Sequence, residues 1–168
     1  MNSYCYVDSP IGPLLLTTDG EALTGLYMGK PTKQPALGDD WTERPGAGAL
    51  PMAARQLKEY FAGARRQFEL PLKMSGTAFQ LKVWRQLTKI PFGETWSYGQ
   101  LARKIGNANA SRAVGLANGR NPIAVIVPCH RVIGADGSLT GFGGGLPRKQ
   151  WLLSHEGLPG TGSLALAG

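Results

Sequence analysis

Two segments in the second half of the chain, Thr77-Ala78-Phe79-Gln80 and Ser97-Tyr98-Gly99-Gln100, have the form of a capping box, and they constrain the fold more than any other feature. In such a box the Ser or Thr oxygen accepts from the backbone N–H three residues on, and the Gln side chain returns to the cap's own N–H. Two orphan donors of a helix start are thereby satisfied. The first box predicts a helix through Phe79, Val83, Trp84 and Leu87 that ends before Pro91. The second predicts a helix through Leu101, Ala102 and Ile105, stopped by Gly106-Asn107. A third, Ala110 to Leu116, is bounded by Asn109 and by Asn118-Gly119. Two short helices joined by a tight turn give the outline of a helix-turn-helix. The third helix is mostly small residues around Arg112, which suits close approach to a nucleic-acid groove and equally suits tight helix packing.

The first part of the chain reads differently. Tyr4 to Val7, Leu14 to Thr18 and Leu23 to Met28 are strand-like, separated by Ser9-Pro10-Ile11-Gly12-Pro13 and by Asp19-Gly20. They predict a small antiparallel sheet. A long surface loop is expected from Gly29 to Gly48, then a helix from about Ala49 to Phe61 with Met52, Leu57 and Phe61 available for its apolar face, then a short strand Phe68-Glu69-Leu70. The expected organisation is a sheet-plus-helix domain over residues 1–76, a helical domain over 77–158 and a flexible tail over 159–168.

Charge divides at the same place. Residues 1–76 hold eight Lys/Arg against eight Asp/Glu, whereas the remainder holds ten against three and carries the entire net charge of +7. One half facing a polyanion would produce this asymmetry. No stretch approaches the roughly 18 apolar residues of a membrane span, and no basic segment followed by a long apolar run opens the chain. A soluble, cytoplasmic protein without membrane contact is expected. Cys5 and Cys129 form no disulfide framework, and with only His130 and His155 there is no short-spaced Cys/His set for zinc. Neither metal nor cofactor is expected.

The chemistry centres on Cys129. The apolar run Ile123-Ala124-Val125-Ile126-Val127 leads into Pro128-Cys129-His130-Arg131-Val132, so a buried segment delivers a cysteine beside an imidazole. A thiolate is the reactive form of cysteine, and a nearby base can generate it. The opposing reading is an inert buried thiol. Neighbours on an extended strand point to opposite faces, so Cys129 and His130 need not touch directly, and a bridging water could carry the proton between them. His130 then needs an orienting acceptor. Among the three acids of this half, Glu156 at the end of a helix predicted from Pro147 through Leu152 is the partner by elimination, although a solvated helix end would look the same.

Pro128-Cys129-His130-Arg131-Val132, preceded by Asn121-Pro122-Ile123, resembles the active-site signature of the O6-alkylguanine-DNA alkyltransferases. The resemblance runs from about Gly76 to Gly157 and takes in Ile90 to Tyr98, Ser111 to Gly115, Thr140 to Gly145 and Trp151 to Glu156. It implies an α+β fold: a small N-terminal ribonuclease-H-like antiparallel sheet with a helix, and a C-terminal helical, winged-helix-like domain containing the helix-turn-helix. It further implies irreversible alkyl transfer from O6-alkylguanine in duplex DNA, with O4-alkylthymine a further possible substrate, to Cys129. On the same resemblance the protein is expected to be consumed in one turnover.

The family's roles carry over residue by residue. Cys129 resembles the alkyl acceptor, activated through water by His130 with Glu156 holding the imidazole. Asn121 resembles the residue that steadies the turn between the recognition helix and the active-site strand. Arg112 resembles the finger that enters the minor groove and replaces the flipped nucleotide. Tyr98 resembles the residue that crowds the adjoining phosphate and whose hydroxyl contacts the flipped base, and as O6 leaves with a demand for a proton it is a candidate donor. Ser111, Ala113, Gly115 and Asn118 join Arg112 and Tyr98 as expected DNA contacts. Tyr98, Val132, Phe142 and Gly143 line the expected base pocket. The expected partner is alkylated double-stranded DNA, bound by a monomer. Two other classes answer to the same residues: a DNA-binding regulator in which Cys129 does no chemistry, and a thiol hydrolase built on Cys129 and His130.

Overall fold

The computed structural model describes residues 2–28, 37–139, 142 and 145–158. The chain divides into two compact units, Met1–Ser75 and Gly76–Gly168. The expected tail over 159–168 and the expected pocket residue Gly143 lie outside the described residues.

In the first unit, β1 (Ser3–Val7), β2 (Leu14–Thr18) and β3 (Leu23–Tyr27) form an antiparallel meander, with β2 in the middle and buried along its whole length. The β2–β3 turn is an Asx turn. Asp19 Oδ1 accepts from the N–H groups of Glu21 and Ala22, both at 2.9 Å, and Gly20 takes a φ of 105° that a side chain would disfavour. The expected long loop is interrupted by β4 (Thr42–Glu43), which joins β1 in parallel at the sheet's edge, so the sheet is not purely antiparallel. Helix α1 (Leu50–Phe61) covers β1 and β2. Its buried face is Leu50, Ala53, Leu57 and Tyr60, whereas Met52 is exposed, because helical periodicity places Met52 off that line.

The expected strand at Phe68–Leu70 does not form. The buried Gln56 side chain donates to Glu69 O and accepts from Glu69 N, each at 2.8 Å, so an amide takes the place of a neighbouring strand. The chain meets the sheet only afterwards, at a parallel bridge between Leu72 and Leu23.

The second unit begins with α2 (Ala78–Leu87), and both capping boxes are formed. Gln80 N donates to Thr77 Oγ1 at 3.1 Å and Thr77 N to Gln80 Oε1 at 3.0 Å. Ser97 and Gln100 repeat the pair at 3.1 and 2.7 Å. Helix α3 (Tyr98–Lys104) is preceded by β5 (Trp96–Ser97) and followed, after a turn through Gly106, by α4 (Ser111–Gly119). Trp84 Nε1 donates to Ala117 O at 2.9 Å, fixing α4 on α2. Helix α4 runs past the Leu116 end expected from Asn118-Gly119. Asn118 is drawn inside instead of terminating it.

The run Ile123–Val127 is buried, as expected, and it is not extended. It coils: Val127 N donates to Ile123 O at 2.9 Å and Ile126 N to Ala124 O at 2.8 Å. Val125 takes a φ of 71°, rare for a β-branched residue. Cys129–Arg131 then form a 3-10 turn that leads into β6 (Val132–Ile133), which pairs in parallel with β5. Helix α5 (Leu146–His155) closes the described part of the unit.

Candidate active site

Asn121 sets the approach to the turn. Its Nδ2 donates to Val127 O at 2.7 Å and its Oδ1 accepts from Ile123 N at 3.0 Å, so one side chain clamps both ends of the coiled segment. Cys129 follows, 4% exposed. Because the backbone here is a 3-10 turn, the strand argument that sent Cys129 and His130 to opposite faces does not apply. Burial pushes the Cys129 thiol up. Opposing that, the Asn121 amide, the Lys149 charge and the backbone N–H groups of Cys129 and His130 all favour the thiolate.

His130 is completely buried, and its Nε2 lies 2.8 Å from Glu156 Oε2. Glu156 is therefore no solvated helix end but an internal carboxylate. Arg131 meets it side-on, with Nε donating to Oε1 at 2.8 Å and Nη2 to Oε2 at 3.0 Å, while Nη1 donates to Ile90 O at 2.7 Å. Burial alone would raise the Glu156 pKa. The bonds and charges of His130 and Arg131 outweigh it and hold the carboxyl well below the usual carboxylate range. Burial lowers the His130 pKa; Glu156 works against this shift, and Arg131 and Lys149 reinforce it. The site thus contains an ionised Glu156 and a neutral imidazole. With Nε2–H donating to Glu156, Nδ1 is left as an unprotonated acceptor.

Lys149, on α5, is also fully buried. Its Nζ donates to Val132 O at 2.6 Å and lies 5.9 Å from the Tyr98 ring centre. Burial pushes it down to about 8, with the Cys129 charge acting the other way. Neither Arg131 nor Lys149 was singled out by sequence reasoning. The signal available was scarcity: with three acids in this half, a cation drawn inside has almost no carboxylate to choose from.

The expected DNA contacts separate into two sets. Arg112 and Ala113 are exposed on α4, and Ser111 and Gly115 are half-buried. Tyr98 is half-buried beside Gly115, where an added Cβ would lie 3.6 Å from its ring. Asn118 belongs elsewhere, because it is 1% exposed and its Nδ2 donates to Cys129 O at 3.2 Å. The helical rotation that exposes Arg112 and Leu116 turns Asn118 inward, against the cysteine. Val132 follows the turn directly and is buried, Phe142 is buried as well, and Gly143 lies outside the described residues.

Two family models match the chain. That of the 6-O-methylguanine DNA methyltransferase DNA-binding domain covers residues 78–158, and that of the ribonuclease-like domain of the same proteins covers residues 2–74. The methylated-DNA–protein-cysteine methyltransferase of Mycobacterium tuberculosis is 54% identical over 156 residues, 93% of each chain. The protein of that name from Mycolicibacterium paratuberculosis is 53% identical over 166 residues, 99% of each. A crystal structure of Mycobacterium tuberculosis OGT in complex with DNA superposes with a TM-score of 0.86 at 54% identity, covering 92% of each chain.

Proposed function

The chain belongs to the 6-O-methylguanine DNA methyltransferase family, and from that premise we propose that it repairs DNA by moving the alkyl group of O6-alkylguanine onto Cys129. The observation that carries this reading is the buried line from Glu156 to His130, whose Nδ1 has no partner in the protein, on the residue that follows the buried thiol of Cys129. It stands on the same compact unit as the exposed Arg112 of the second helix of the helix-turn-helix.

The steps follow from the groups present. The thiol proton passes to His130 Nδ1, through water, and Glu156 stabilises the imidazolium that results. Asn121 and Lys149 favour the thiolate electrostatically. A stacked base cannot reach a buried sulfur, so the nucleotide must leave the duplex, at a cost of a few kcal/mol that is smaller for a weakened pair. Arg112 fills the gap it leaves, with Ser111, Ala113 and Gly115 allowing the helix close to the groove. In the transfer a sulfur–carbon bond forms as the carbon–O6 bond breaks in line. The departing guanine takes a proton from Tyr98, whose ring lies near the Lys149 ammonium. The product is a thioether. No group of the site can hydrolyse it, so each molecule acts once.

Incubation with a duplex carrying labelled O6-methylguanine tests the reading. About one equivalent of label should appear on the protein, and none on Cys129→Ala. Repeated turnover, or label retained by the Cys129→Ala variant, would refute it. A regulator without chemistry would acquire no label at all.

A further inference from the structure

Among the described residues, two buried side-chain polar atoms have no hydrogen-bond partner in the protein: Asn118 Oδ1 and His130 Nδ1. Asn118 is tied to the 3-10 turn, and His130, a residue of that turn, is tied to Glu156, each through its other polar atom. Asn118 Nδ2 donates to Cys129 O at 3.2 Å, and His130 Nε2 faces Glu156 Oε2 at 2.8 Å. Both unpartnered atoms are acceptors. The amide oxygen is one by its chemistry, and Nδ1 is one because the ionised Glu156 takes the Nε2 proton. Two acceptors cannot satisfy each other, and leaving one dry costs about 1–3 kcal/mol. A molecule with two hydrogens to give satisfies both.

We propose that Asn118 is a positioning residue for proton removal from Cys129: its Oδ1 and His130 Nδ1 accept the two hydrogens of one buried water, whose oxygen lone pairs are thereby turned toward the thiol. The inference rests on the reading of Cys129 as the nucleophile and assigns the orientation of the water to a residue of the recognition helix. The S–H bond breaks as its proton joins the water oxygen, and the water's own proton passes to Nδ1. Thiolate and imidazolium result, the water is regenerated and nothing is oxidised. A water held only by His130 could point a hydrogen at the sulfur and stabilise the thiolate, but it would not be set to receive the proton. Asn118 removes that second orientation.

The charged groups acting here come from a few elements. Helix α5 supplies Lys149, which acts on both Cys129 and His130, and Glu156 caps its end; the turn itself supplies Arg131. The face that α2 buries, Val83, Trp84 and Leu87, is uncharged, and α4 contributes the neutral Asn118 amide. Replacing Asn118 therefore changes no charge around the thiol.

The test uses the full chain with Asn118→Leu, which keeps the volume and removes the acceptor, and Asn118→Ser, which keeps an oxygen and leaves room for water. The first readout is the pH dependence of Cys129 alkylation by iodoacetamide; the second is transfer from a free O6-alkylguanine base, which avoids DNA binding. Asn118→Leu should raise the apparent thiol pKa by about one unit, tenfold in thiolate fraction, and slow transfer roughly 10–100-fold at neutral pH. The deficit should shrink as pH rises, and Asn118→Ser should recover part of it. If both variants lose thermal stability but keep the wild-type pH profile, Asn118 only ties down the Cys129 carbonyl and the proposal fails. Should Asn118→Leu not fold, Asn118→Ser decides alone: a wild-type thiol pKa and transfer rate overturn the proposal. If wild type alkylates with iodoacetamide but never accepts an alkyl group from guanine, the functional reading fails while the pKa shift still reports on Asn118.

Discussion

Glu156 serves a base and a cation with one carboxylate, and the two demands can be separated by experiment. Removing its charge in Glu156→Gln leaves Arg131 buried without a counter-ion, a change worth roughly 3–5 kcal/mol in comparable buried pairs. The sign with pH follows from the lowered carboxyl. The stabilisation is present above the unfolded carboxylate pKa, near ~4.3, and is lost as pH falls through the lower folded value. The gap in urea midpoint between wild type and Glu156→Gln should therefore be widest near neutrality and narrow below about pH 4. A gap independent of pH would show that shape, not charge, matters there. At this scale the sequence was legible where chemistry is adjacent in the chain, as with Cys129 and His130, and where elimination worked, as with Glu156. It was silent on Arg131 and Lys149 and counted Asn118 among the DNA contacts, because their places come from contacts between residues apart in sequence, such as Arg131 with Ile90, Lys149 with Val132 or Asn118 with Cys129.

Elements were readable in proportion to how local their causes are. Both capping boxes announced α2 and α3 because every atom involved lies within four residues. The backbone path of Ile123–Val127 was not readable, for the opposite reason. Its β-branched residues favour an extended backbone, but Asn121 bridges its two ends and coils it. The Phe68–Leu70 segment failed likewise, captured by Gln56. On α4 the local reading separates inner from outer residues. Arg112 and Leu116, one turn apart, both face out, with Leu116 54% exposed. Arg112→Ala should therefore impair repair in duplex DNA far more than reaction with a free O6-alkylguanine base, by at least tenfold between the two substrates. Equal losses on both would place Arg112 in the chemistry or in the fold instead of at the helix's DNA face.

Across the whole molecule, burial redistributes the charge that composition reports. Of the ten cations after residue 76, Arg131 and Lys149 are interior, as is Glu156 among the three acids. Eight cations against Glu94 and Asp136 remain for the surface of the second unit, whereas the first unit is balanced overall. An interface with DNA on the second unit alone has a measurable signature, since each phosphate contact releases counterions and adds about 0.9 to the slope of log affinity against log salt. Neutralising Arg112 or Arg120, both exposed on or beside α4, should lower that slope by close to one each when binding to undamaged duplex is titrated by fluorescence anisotropy. Neutralising Arg55 or Lys58, exposed on α1 of the first unit, should leave it unchanged. A fall in slope for the α1 variants would mean that DNA also lies against the neutral unit, and that the charge asymmetry reflects how the second unit keeps itself soluble more than how it finds its substrate.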